Sequence, residues 1–200
     1  MNIEIASTWD GKDYFLYKNH VTMQSPVAIE VFEHFFTIEK FDLMVEIGTA
    51  GGGWTIFLQE AANSMDAKFI TYDIHNFPQK GLEFANLGID FRLKNVFSNS
   101  QEIIDLISQP DKRVALFCDG GDKIKEFNLF SYHLKSGDFI FAHDYAPSYK
   151  FFMDHMHGVW WDWCEISDDY ISTAFEENNF VKYSPDFFIK SAWMAAQKHD

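Results

Sequence analysis

The chain has 200 residues, 47% of them hydrophobic and 18% aromatic, with 22 phenylalanines, so it carries apolar material for one full core and is no disordered segment. Its formal charge of −14 argues against nucleic acid, whose phosphates need Lys and Arg to displace counterions, and equally against an anionic membrane surface. Two cysteines, Cys118 and Cys164, are too few for a disulfide framework and read as inert free thiols, which suits a cytoplasmic protein. Met1 to Glu4 show no signal-peptide pattern, and no run of 18 apolar residues is present to span a membrane.

Residues 1–24 are mixed and polar, with a short apolar knot at Tyr14 to Tyr17. Ser25-Pro26 reads as N-cap and first position of a helix running to about Thr37, whose apolar face holds Val27, Ile29, Val31, Phe32, Phe35 and Phe36. Strands and helices then alternate: strand 43–47, helix 53–64, strand 68–74, a looser helix near 78–87, a short strand 91–93, helix 100–108, strand 113–118, helix 122–135 and strand 138–142. Beyond residue 147 an aromatic helix or lid is expected over 148–165, a helix over 167–178, and two closing strands at 180–183 and 191–196 joined as a hairpin through Ser184-Pro185-Asp186. Alternation of this kind predicts one α/β domain: a Rossmann-like doubly wound sheet, mostly parallel. Residues 1–40 read as an extension and helix, 41–146 as the cofactor-binding core, and 147–200 as lid helices and closing strands.

The core declares a ligand at Leu43-Met-Val-Glu-Ile-Gly-Thr-Ala-Gly-Gly-Gly-Trp54, a buried strand, an acid and a glycine loop that opens a helix. Glycines there let a ligand come close to backbone N–H groups at the helix start. Glu46 in the last turn of a buried strand needs a partner. Asp73 closes the next strand, where a carboxylate accepts both hydroxyls of a ribose; its plain reading is a solvated turn residue. Right-handed crossovers put all parallel strand ends on one edge, so Glu46, Gly48, Asp73, Ser98, Asp119, His143 and Asp144 converge there.

This order of pieces resembles the class I S-adenosylmethionine-dependent methyltransferases from about residue 20 onward. Val45 to Gly53 resembles the glycine-rich first motif, and Asp73 the acid that holds the ribose. Three stretches resemble the cephalosporin hydroxylase-like and macrocin-type O-methyltransferase branch: Gln24-Ser25-Pro26, Leu116-Phe117-Cys118-Asp119-Gly120-Gly121-Asp122, and Leu134 through His143-Asp144-Tyr145. The resemblance implies the strand order 3-2-1-4-5-7-6, with a C-terminal antiparallel strand. It implies that Glu46, Gly48, Gly51, Gly52, Gly53 and Asp73 bind S-adenosylmethionine, with Phe97 or Ser98 lining the adenine. It further implies a divalent metal, magnesium by habit, on Asp119, His143 and Asp144. Such an ion clamps vicinal hydroxyls and lowers the pKa of one.

The chain departs from that pattern at Asp122, which stands where relatives place a His or Lys base, at His143, where catechol-type enzymes have an acid, and at Trp54, where Ser or Thr is usual. With Asp122 as base and Asp119 beside it, the reading is an O-methyltransferase acting on a hydroxyl of a small molecule, sugars included, in a protein that can form a homo-oligomer. The alternatives are an NAD(P)-dependent oxidoreductase, against which Ala50 stands at the second glycine of the dinucleotide fingerprint, and a non-catalytic nucleoside-binding module. Plainer roles stand beside the sharp ones. Asp119 is also placed to cap the next helix, and His143 to be structural. His155 and His157 read as surface residues, because i, i+2 spacing puts them on different helical faces. Trp160, Trp161 and Trp163 suit either a lid or core packing.

Overall fold

The structure, a computed structural model, describes residues 4–9, 12–75 and 83–200, and up to residue 14 only the path of the backbone. Its centre is a seven-stranded sheet. Five strands are parallel: β4 (Leu43–Ile47), β5 (Lys68–Asp73), β6 (Asp90–Leu93), β7 (Val114–Cys118) and β8 (Phe139–His143). Two more lie on the β8 side: β12 (Trp193–Lys198), antiparallel to β8, and then β11 (Phe180–Lys182), antiparallel to β12 and therefore parallel to the other five. The spatial order is β11-β12-β8-β7-β4-β5-β6, which is the expected 3-2-1-4-5-7-6 read from the other edge.

Strands β4, β7 and β8 are buried at all five positions, as a parallel sheet covered on both faces requires. Alternation sorts their side chains into two different cores. Met44, Phe117, Phe139 and Phe141 point to a phenylalanine-rich face covered by helix α1 (Pro26–Ile38) and helix α2 (Gly53–Ser64). Phe32 sits at its middle, in ring contact with Trp54, Phe117, Phe141, Phe188 and Trp193. Val45, Leu116, Ile140 and Ala142 point to an aliphatic face covered by helices α3 (Ser100–Ile107), α4 (Lys123–Phe130) and α6 (Asp168–Glu177).

Helix α1 begins as its sequence dictates: Ser25 accepts from the Val27 amide at 3.2 Å, and Pro26 follows it. Elsewhere the structure corrects local expectations. Within residues 1–24, read as a mixed polar stretch with an apolar knot, lies an antiparallel three-stranded sheet, β1 (Glu4–Trp9), β2 (Lys12–Tyr17) and β3 (His20–Thr22). The helix expected over 122–135 stops at Phe130 and tightens into a 3-10 turn, Ser131–His133. The expected lid helix over 148–165 ends early, as α5 (Tyr149–His155), because Gly158 with φ +71° turns the chain away. No tight hairpin joins the closing strands; helix α7 (Pro185–Phe188) and a 3-10 turn lie between them, with Phe188 fully buried under α1. Residues 78–82 of the looser helix lie outside the described residues, and 83–86 are helical. No helix among the described residues is long and apolar enough to cross a membrane.

Candidate active site at the strand ends

The ends of β4 and β5 carry the residues expected to hold a nucleoside. Glu46 is fully buried; its Oε2 accepts from Thr55 Oγ1 at 2.7 Å and Thr71 Oγ1 at 2.5 Å, while Oε1 has no hydrogen-bond partner among the described residues. Burial pushes its carboxyl up to about 8, and the two threonine bonds only partly offset that. Asp73 Oδ2 accepts from the amides of Thr49 at 3.1 Å and Ala50 at 2.9 Å, and Oδ1 accepts from His75 N at 2.8 Å. The acid therefore pins the glycine loop to the end of β5. Three accepted bonds leave a carboxylate with about one further acceptor direction.

The glycines owe their identity to the chain itself. A Cβ on Gly48, whose φ is +97°, would lie 2.1 Å from the carbonyl oxygen of Asp119; one on Gly53 would lie 2.1 Å from Thr22 Oγ1. Gly51 faces the carbonyl of Val21, and Gly52 faces the Phe84 ring. Strand β3 thus covers one side of the loop, which sequence reasoning had left open to a ligand. The other side of the loop faces Asp73 and the turn at residues 95–98. There Asn95 Oδ1 accepts from the amides of Phe97 at 2.9 Å and Ser98 at 3.1 Å; Phe97 is half-buried beneath Lys125 Nζ, 4.2 Å from the ring centroid, and Ser98 is exposed. The unpartnered Glu46 oxygen and the spare acceptor capacity of Asp73 fit an adenosyl cofactor, which presents hydroxyl and ammonium donors. Trp54, which stands where relatives have Ser or Thr, is buried in the aromatic face, stacked between Phe57 and Trp193.

The ends of β7 and β8 form a second group. Asp119 Oδ1 lies 2.9 Å from His143 Nδ1, and Oδ2 accepts from Gln24 Nε2 at 2.7 Å. Gln24 is itself oriented by Trp193 Nε1, which donates to Gln24 Oε1 at 2.8 Å. Trp193 is the β12 residue directly opposite His143, and their rings lie 4.8 Å apart. The network assigns the Nδ1 proton of His143 to the Asp119 bond. Burial disfavours the imidazolium, but Asp144 and Asp119 outweigh it and raise the His143 pKa. Asp144 follows in the left-handed region, at φ +57°.

Lys123, at the first turn of α4, enters the same group and is only 6% exposed. Its Nζ is 2.9 Å from Asp144 Oδ2 and 3.8 Å from Asp119 Oδ1, and it pairs most closely with Glu165. Burial works against the charge, yet Asp144, Asp119 and Glu165 together hold the ammonium well above the usual lysine range. Glu126 clamps the intervening loop, its carboxyl oxygens accepting from Gly120 N at 3.2 Å and Asp122 N at 3.4 Å. Asp122 is exposed and caps α4, accepting from Lys125 N at 3.1 Å. It is thus Asp122 and not Asp119 that caps the helix.

Asp119, His143 and Asp144 do meet, with ligand atoms within 4.8 Å of one another. The fit to a divalent metal fails on what surrounds them. Both Asp119 oxygens already accept from nitrogen donors, and the ammonium of Lys123 lies against Asp144. A divalent ion about 4 Å from that ammonium meets roughly 8 kcal/mol of repulsion at an effective dielectric of about 20. Sequence reasoning missed Lys123, Glu126, Glu165 and Trp193; only Gln24 had left a trace, in the Gln-Ser-Pro lead-in.

No protein-family model matches the chain, and no curated protein matches it. Solved structures do. An apo structure of CmcI matches at a TM-score of 0.64 and 11% identity, over 92% of this chain and 76% of that one. CmcI with Mg and SAM matches at 0.61, 11% identity and the same coverage. A candidate caffeoyl-CoA O-methyltransferase from Staphylococcus aureus matches at 0.60 and 11% identity, over 90% of this chain and 86% of that one. The fold is that of the class I S-adenosylmethionine-dependent methyltransferases. Within this methyltransferase fold, the β4–β5 rim and the β7–β8 rim are neighbours across the sheet's reversal of strand order, the place where open α/β sheets receive ligands. His155 and His157 are exposed, in keeping with surface roles. Trp160 and Trp161 pack with Phe152 and Met156, whereas Trp163 is exposed.

Proposed function

We propose that this protein is an S-adenosylmethionine-dependent O-methyltransferase acting on a hydroxyl of a small molecule. The observation that carries the reading is the meeting of two chemically different groups on adjacent strand ends of a methyltransferase fold. On one side stand Glu46 and Asp73 with the glycine loop; on the other, the Asp119–His143 pair. S-adenosylmethionine, when bound, supplies an electrophilic methyl group. The chain's part is alignment and proton management.

Asp73 and the loop from Gly48 to Gly53 hold the nucleoside, with Phe97 and Ser98 at its base and Glu46 toward the methionine or ribose donors. His143 receives the acceptor's proton at Nε2, which has no hydrogen-bond partner among the described residues, while Asp119 fixes the ring through Nδ1. Because the neighbouring carboxylates raise the His143 pKa, the neutral base gains population as pH rises above the ordinary imidazole range.

Isothermal titration with S-adenosylhomocysteine and with NAD tests the reading. Micromolar binding of S-adenosylhomocysteine is expected, weakened about tenfold or more by Asp73→Ala. Binding of NAD without binding of the sulfur nucleoside would overturn it in favour of an oxidoreductase.

A further inference from the structure

We propose that Lys123 is the resident cation of this site: its ammonium takes the place a divalent metal would occupy between Asp119 and Asp144, and it keeps such metals out. The inference deepens the methyl-transfer reading, since it concerns the charge beside the acceptor hydroxyl.

Three observations carry it. First, the lysine reaches carboxylates from three separate elements: Asp119 at the end of β7, Asp144 after β8, and Glu165 just before β10 (Ile166–Ser167). It hydrogen-bonds Glu165 and stands within ion-pair distance of Asp144 and Asp119, so one positive charge faces all three acids. Second, both oxygens of Asp119 are already engaged by neighbouring side chains. Gln24 Nε2 donates to Oδ2 and His143 Nδ1 to Oδ1, so the two oxygens and Nδ1 face one another rather than a common ion. A hard cation such as magnesium asks for about six oxygen ligands in an octahedron, and this cluster offers donors already turned elsewhere. Third, Lys123 is held in place. It is nine-tenths buried, it opens α4, and the loop before it is fastened by Glu126 to the amides of Gly120 and Asp122.

The experiment titrates manganese and magnesium into the chelator-treated full chain, following bound manganese by electron paramagnetic resonance. Wild type is expected to bind neither ion at millimolar concentration. Lys123→Gln, nearly isosteric and neutral, is expected to gain manganese affinity by at least about tenfold, and a second change, Asp144→Asn, to remove the gain. Lys123→Arg, which keeps the charge, should bind no better than wild type.

Should Lys123→Gln fail to fold, the titration is read on Lys123→Gln with Glu165→Gln, in which the lost positive charge is matched by a lost negative one. Manganese binding by wild type that Asp144→Asn abolishes would overturn the proposal. Absence of binding in both wild type and the lysine variants would overturn it as well, because the lysine would then not be what excludes the ion. Titration of the same samples with S-adenosylhomocysteine separates the two claims. Nucleoside binding with metal binding sinks only the role of Lys123; metal exclusion without nucleoside binding sinks only the methyltransferase reading.

Discussion

The two rims of the sheet solve one problem in opposite ways. Both bring carboxylates to the ends of buried strands, where ionised acids are costly. At β4–β5 the partners are neutral: Glu46 meets two threonine hydroxyls and Asp73 meets backbone amides. Glu46 escapes the cost by holding its proton up to about pH 8. At β7–β8 the acids are matched by a buried lysine and a histidine. The first rim is therefore tuned by protonation and the second by ion pairing, so the same kind of substitution has different consequences at each.

The largest effect is expected at the paired rim. Lys123→Met leaves three acids around a vacated cation and is expected to lower unfolding free energy by roughly 3–5 kcal/mol. Urea denaturation measures it, and a cycle with Asp144→Asn should recover part of the loss. A change of less than about 1 kcal/mol would mean the lysine is not buried among those acids.

At the neutral rim, Gly48→Ala places a methyl group on the Asp119 carbonyl and strains a residue at φ +97°. The cost is expected to be roughly 1–3 kcal/mol, with weaker binding of S-adenosylhomocysteine because the loop moves away from Asp73.

Smaller effects sharpen the contrast. Asp122→Ala should cost about 1 kcal/mol, as loss of an N-cap does. It should leave the pH dependence of methyl transfer in place, whereas a base at Asp122 would make that dependence vanish with it.

Glu46→Gln tests the protonation argument. An acid whose folded pKa is raised stabilises the fold below its unfolded value and loses that contribution as pH rises, here from 4.5 to about 8. Glu126, pushed to about 7 by burial, slopes the same way, so the difference between wild type and variant isolates Glu46. Glu46→Gln should therefore be the more stable protein above pH 8, by on the order of 1 kcal/mol, and a thermal melt series across that window reads it.

Much of this was legible in the residues. Apolar runs stopped by glycine or acid fixed β4, β7 and β8 to within a residue, and period-two alternation put Phe139 and Phe141 on one face and Ile140 and Ala142 on the other. Crossover handedness then sent Glu46, Asp73, Asp119, His143 and Asp144 to one edge. These properties are local or follow from chirality, so a sequence states them by itself.

What the sequence could not state depends on groups brought together from far along the chain. Gln24 and Trp193 are 169 positions apart, and Lys123 and Glu165 are 42 apart. The cover of β3 over the glycine loop is likewise a contact between distant segments. Hydrophobic periodicity says which face of an element is buried, and carries no information about which charge arrives opposite it. For that reason the positions of the acids were determined by the sequence alone, and the cation that meets them was decided only by the tertiary structure.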